Sequence, residues 1–169
     1  FNFKDVSKIL EEDLEGGIES NFKEIDPLPV AAASIAQVHF AITTENIPVA
    51  VKILRPGIRD DFEKDIELFY WLAQLIEKNY PKLRRLKPIE AIESFEKTSQ
   101  LKMNLSLEAA AADELRENHL NEEKFKIPKV DWQRTSSRVL TLERVGGVNI
   151  NDIESIKENN LSPNDIVKN

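Results

Sequence analysis

The chain has 169 residues, of which 41% are hydrophobic and 31% charged, the make-up of a globular chain rather than a fibrous or disordered one. It carries no Cys and only two His, His39 and His119, so a Cys-based zinc site, a thiol nucleophile and a disulfide framework are all excluded. A net charge of −7 argues against a nucleic-acid surface, and no apolar run approaches the roughly 18 residues that span a bilayer, so membrane contact is expected to be peripheral at most.

Read from the amino terminus, Val6, Ile9, Leu10 and Leu14 recur at helical spacing and stop at Gly16-Gly17, a helix end. A short amphipathic piece holding Ile18, Phe22 and Ile25 follows and is ended by Pro27 and Pro29, so residues 1–27 read as a helical lead-in. Val30 to Ala41, the polar turn Thr43 to Asn46, and Pro48 to Leu54 then predict a β-hairpin. Phe62, Ile66, Phe69, Tyr70, Ala73 and Ile76 form one stripe of a helix starting near Asp60 or Asp61 and ending before Pro81. The basic run Lys82, Arg84, Arg85 and Lys87 between Pro81 and Pro88 reads as a solvated link between helices; docking to an anionic membrane or partner is the alternative.

From Pro88 to Leu120 the pattern predicts two helices with an unplaced break, and Ile127–Trp132 with Arg138–Leu142 predicts a second strand pair. After Gly146-Gly147 the tail is polar, with a weak helix start at Asn149 or Asn151. Hairpin, long helices, then strands predict an α+β domain with helices against a small antiparallel sheet. The start at Phe1 and the stop at Asn169 suggest a piece of something longer.

Three features carry chemistry. Strand alternation puts Val49, Val51 and Ile53 on one face and Ala50, Lys52 and Leu54 on the other, so Lys52 shares a face with apolar neighbours; by itself the strand reads first as carrying a surface lysine near its end. Leu101, Leu105, Glu108, Ala112 and Leu115 make a helical stripe with a carboxylate in its middle, and a buried carboxylate needs a cation nearby, for which Lys52 is the candidate; the alternative is a slightly rotated helix that leaves the carboxylate solvated. Ala31, Ala33, Ala36 and Val38 occupy the spacing of the G-x-G-x-x-G-x-V loop that covers ATP phosphates in protein kinases, with alanine at each glycine.

Taken together, the segments PVAAASIAQVH, VAVKILRPGI, LEAAA and RVLTLER resemble the UbiB (ADCK-like) atypical kinase-like family over roughly residues 20–150. The resemblance implies a protein-kinase-like amino-terminal lobe over residues 28–147, a helical insert at about 57–100, and the truncated start of a carboxy-terminal lobe at 148–169. It implies a phosphate loop made of Val30, Ala31, Ala32, Ala33, Ser34, Ile35, Ala36, Gln37 and Val38. Lys52 would hold the phosphates and Glu108 would aim it, Ala50 with Val38 would roof the adenine, Leu142 would guard the back of the pocket, and Glu143 to Val145 would form the hinge. ATP and Mg2+ are the implied cofactors, with the metal ligands in the missing lobe. Lipid or quinone-biosynthesis proteins are the implied partners, and a cytoplasmic protein at the inner membrane of a bacterium or mitochondrion is the implied setting.

The chain departs from the family at Lys102 and Asn104, where an acidic pair is usual, and at Ala111, where Asn is usual. Neither Asp152 nor Asp165 sits in a His-x-Asp or Asp-Phe-Gly context, so this chain by itself is not expected to turn over ATP. His39 reads as a packed strand residue rather than a base. The rival reading is a kinase-derived helical interaction module that binds no nucleotide.

Overall fold

The computed structural model describes residues 1–120, 122, 126–147 and 156. Helix α1 (Phe3–Asp13) opens with a capping box, in which the Asp5 amide donates to the Asn2 side chain and the Asn2 amide to the Asp5 carboxylate. Its buried stripe is Val6, Ile9 and Leu10. Gly16 and Gly17 both take positive φ, a conformation that side-chain-bearing residues rarely adopt, so the turn out of α1 favours glycine at both positions. A short helix α2 (Gly17–Asn21) passes directly into strand β1 (Phe22–Ile25). The lead-in is thus helical only to Asn21: β1 pairs antiparallel with the far end of β3 and buries Phe22, a tertiary pairing that overrides the helical lead-in.

Strands β2 (Ala31–Ala32), β3 (Ala36–Thr43), β4 (Pro48–Leu54) and β5 (Val139–Glu143) complete a five-stranded antiparallel sheet in the order β1-β3-β4-β5, with β2 also on β3. Alternation along β4 divides the interior in two. Val49, Val51 and Ile53 join Val139, Ala41 and the α1 stripe in one core, whereas Leu54 joins Ala36, Leu140, Val130 and, from helix α5 (Leu105–Asn118), Leu105 and Ala109 in the other.

Between β4 and α5 stand the helices of the insert, α3 (Ile58–Asn79) and α4 (Pro88–Lys102), joined by a 3-10 turn at Pro81–Leu86 that carries the basic run. α3 begins earlier than Asp60 because Gly57, at φ +71°, ends the Arg55-Pro56-Gly57 turn and serves as its cap. The two helices meet through Phe62 and Phe69 against Phe95, and through a 2.8 Å hydrogen bond from Tyr70 to Glu96. The break between α4 and α5 falls at Met103-Asn104, where Asn104 caps α5 through the Ser106 amide.

The second predicted strand pair is only half formed. Val130 makes a single bridge to Leu142, after which Trp132–Arg134 turns into a 3-10 helix instead of continuing as strand. The cause is Arg134, which is 4% exposed. Its guanidinium donates to the Asn21 carbonyl, to Asp131 and to both Glu45 oxygens, a set of partners that no flat strand would bring together. Arg138 reaches Asp13 and Glu12 in the same way, tying α1 to the entry of β5. Burial by itself would raise the Asp13 carboxyl, but the bonds from Arg138 and Ser136 bring it below its usual value. The predicted helix start at Asn149 or Asn151, and Asp152 and Asp165, lie outside the described residues; Ile156 is helical and buried.

Replacing Arg134 with Met strands a buried carbonyl and two carboxylates, and should lower the unfolding free energy by about 2–3 kcal/mol in urea titrations. The Arg134 guanidinium, helped by Thr43, also holds Glu45 down to about 2 from its ordinary 4.5. A depressed carboxyl contributes stability that is complete above pH 4.5 and is lost as pH falls toward 2. Glu45→Gln should therefore melt below the parent at neutral pH, with the two melting temperatures converging as the solution is acidified through that window.

Candidate nucleotide-binding face

One face of the sheet gathers four of the residues that the motifs single out. Val38 lies directly opposite Lys52 in the β3–β4 register, and Ala50 lies opposite both Phe40 and Leu142, so Val38, Ala50, Lys52 and Leu142 share a face. α5 crosses beside this face. Lys52 Nζ donates to both carboxylate oxygens of Glu108, at 2.7 and 2.8 Å.

The pair forms, and of the two settings left open by the spacing it takes the solvated one. The residues of α5 that enter the core are Leu105 and Ala109, while Leu101 and Leu115 are about half exposed, so the apolar stripe runs one position away from Glu108. Glu108 and Lys52 side chains are 47% and 31% exposed. An open position costs the carboxylate little desolvation, so the pair has Coulombic reason to form and small weight in stability.

Alanine replaces glycine in the loop without strain. Ala31 and Ala32 are in strand conformation against Val38 and Gln37, Val30 donates to the Val38 carbonyl and Ala33 to that of Ala36, leaving Ser34 and Ile35 at the bend. Among the described residues positive φ occurs only at Asn46, Lys87 and four glycines, none of them in the loop. The loop is therefore a short, laddered hairpin tip rather than a flexible glycine strap. It is braced from below, since the Arg55 amide donates to the Ile35 carbonyl at 2.8 Å.

Two of the singled-out side chains face elsewhere. Gln37 is buried on the α1 side, where its amide donates to the Phe1 carbonyl. Glu143 shares the register position of Val49, and its carboxylate is held by Lys126 at 2.8 Å and by the Lys129 amide, which together lower its pKa. Its own amide donates to Lys129 and that of Arg144 to Pro48. His39 is 1% exposed, packs at a tilt against Phe3 and bonds the Asp26 carbonyl through Nδ1, as expected of a packed strand residue.

Sequence reasoning put Arg144 only within the hinge stretch and missed its contact with Phe40, whose ring lies 3.7 Å beneath the guanidinium beside the same face. It also missed Asp113, which accepts from Trp132 Nε1 and from Arg116, bonds that hold its carboxyl below the usual range and pin the second half of α5. The Arg144–Phe40 and Asp113–Trp132 contacts have no sequence signal, because each joins elements brought together only by folding, whereas Asp113 and Arg116 stand three apart on α5 and their spacing could have shown the pair. Among the described residues no group of three or more Asp, Glu or His side chains is placed to hold a metal ion.

A small antiparallel sheet whose central lysine meets a glutamate from the helix packed beside it, with helices inserted between the two, is the amino-terminal lobe of a protein-kinase-like fold. The chain belongs to the ABC1 atypical kinase-like family, whose model matches residues 1–169. It is 40% identical over 151 residues to the "Probable protein kinase UbiB" of Aliivibrio salmonicida, covering 89% of this chain and 28% of that protein. Against the protein of the same name from Vibrio cholerae it is 36% identical over 160 residues, covering 94% and 29%. The chain thus spans less than a third of the length of these relatives. The solved complex of Rv3197 with erythromycin from Mycobacterium tuberculosis superposes with a TM-score of 0.71 over 90% of this chain and 38% of that one, at 24% identity, a likeness of fold.

Exposure makes Glu108→Leu a mild change for folding: the unfolding free energy should move by less than about 1 kcal/mol, read by urea unfolding. A loss of several kcal/mol would mean that the carboxylate is buried after all.

Proposed function

We propose that this lobe holds the base and phosphates of MgATP within an atypical kinase or ATPase of the UbiB type that serves isoprenoid quinone biosynthesis. The observation that carries the reading is the two-oxygen clasp of Glu108 on Lys52, which aims a fixed ammonium along the open face beneath the alanine loop. A cation so placed has the chemistry to meet α- and β-phosphates, and Val38, Ala50 and Leu142 offer the adenine an apolar platform. Successive peptide groups of a strand point to opposite sides. The amide of Arg144, just past the end of β5, turns inward to Pro48, and in this reading the Glu143 carbonyl and Val145 amide on either side of it would serve the adenine edge.

In this role Lys52 orients and neutralises the phosphates, and the stiff loop limits their movement. Metal ligands and a base for phosphoryl transfer would come from outside the described residues, and no step is assigned to those present. Quinone-biosynthesis proteins and lipids are the partners that fit this reading, with the intact protein at the bacterial or mitochondrial inner membrane. Among the described residues no helix is long and apolar enough to cross a membrane.

Calorimetric titration of the full-length gene product with MgATP tests the proposal. Lys52→Met should weaken binding by about 10–100-fold, the loss of one or two charge-assisted contacts, with an unchanged circular dichroism spectrum. Equal affinity in parent and variant would remove Lys52 from the site, and no binding by either would favour an interaction module.

A further inference from the structure

Glu108 can aim Lys52 only if α5 is held in register with β4, and the helix is held at its start by contacts that come from three directions. The Leu105 amide donates to the Ser137 carbonyl at 3.0 Å, which fixes α5 to the entry of β5. Asn104 caps it from within. The third contact comes from the insert: Arg59 donates through Nε at 3.3 Å and Nη2 at 2.8 Å to the carbonyl of Met103, at the break between α4 and α5.

That carbonyl ends α4, where intrahelical partners run out, so a fork-shaped donor there satisfies an orphan group and sets the angle at which the chain enters α5. Arg59 is itself well anchored. It stands in the first turn of α3, just past the turn closed by the Ile58 amide on the Arg55 carbonyl, and the Arg55 amide in turn holds Ile35 at the tip of the alanine loop. The contacts close a ring: from Lys52 along β4 to Arg55, through Arg59 to Met103, along one turn of α5 to Glu108, and back to Lys52.

We infer that Arg59 is a positioning residue for the Lys52–Glu108 pair: by gripping the Met103 carbonyl it sets α5 at the height at which the carboxylate clasps the ammonium. It touches neither nucleotide nor Lys52 and acts through the helix start. A lysine at 59 would offer a single compact ammonium in place of the fork and should hold the break less firmly.

The inference rests on the pair, and its consequence for ATP rests on the proposed function, so two readouts are needed. The first uses the full-length protein without nucleotide: acylation of Lys52 by an amine-reactive reagent, followed by mass spectrometry, with Glu108→Gln as the unclasped reference. Arg59→Met should raise Lys52 reactivity most of the way to that reference and Arg59→Lys part of the way, while the far-UV circular dichroism of each matches the parent. Parental reactivity in Arg59→Met overturns the inference. So does a Glu108→Gln reference that equals the parent, since the clasp would then not form in solution.

The second readout is MgATP affinity in a double-mutant cycle. Arg59→Met should weaken binding about tenfold in the parent but less than twofold in Glu108→Gln, a coupling of the size seen between residues acting through one contact. Equal weakening in both backgrounds would mean a merely structural role and overturn the positioning claim. If Lys52 reactivity responds as expected but affinity ignores Lys52→Met, the nucleotide reading fails while Arg59 stands as the residue that positions the pair.

Discussion

The register of β4 between β3 and β5 is the constraint on which the rest of the lobe depends. Seven residues in strand conformation present Val49, Val51 and Ile53 to α1 and Ala50, Lys52 and Leu54 to the α5 side, and the fully buried positions on the first face leave no room for a one-residue slip. A slip would carry an ammonium into the core of Val6, Ile9 and Leu10. Hydrophobic burial under α1 therefore fixes, as a by-product, which way Lys52 points. Leu54 then anchors the other end of the same face, packing with Leu105 and Ala109, so that α5 arrives beside Lys52 because its own apolar residues have nowhere else to go.

The insert interrupts this arrangement in sequence without loosening it in space. Its helices share an aromatic seam of Phe62, Phe69 and Phe95, and its two ends are tied back to the lobe, one at the Arg55-Pro56-Gly57 turn and one at Met103. The insert is then more than a bulge on the surface, since its ends flank the lysine strand and the glutamate helix. Leu68, Trp71, Leu72 and Leu75 leave the outer side of α3 apolar as well, while Ile66 and Ala73 are the positions it buries.

Much of the fold was legible because it rests on local periodicity. The alternation in PVAVKIL, the helical stripe from Phe62 to Ile76 and the Gly16-Gly17 stop each translate into one element, with boundaries moved by at most a few residues. Failures came where long-range partners decide. Phe22 to Ile25 fit a helical piece as readily as a strand until β3 supplies its edge, and Trp132–Arg134 leaves the strand because a guanidinium is gathered in by Asn21 and Glu45, far away in sequence. At the site, the lysine and glutamate were legible as a pair by type and order. The depth of the carboxylate stayed open between a buried stripe and a slightly rotated, solvated one, because an alanine-rich helix, LEAAAA, gives nearly the same apolar pattern under a rotation of one position and only packing chooses between them.

That choice bears on how the proposed site would work. A buried ion pair would be locked by the penalty of separating its charges, and a phosphate would have to pull the ammonium out of a low-dielectric pocket. On the half-open face seen here the attraction between Lys52 and Glu108 is screened, so the ammonium can keep one carboxylate oxygen and still offer its remaining donors to an incoming anion. Orientation is then preserved while charge is shared. The rigidity that such an arrangement needs is supplied around the pair rather than by it: by the laddered alanine loop above, the β4 register beside it and the three bonds that fix the start of α5.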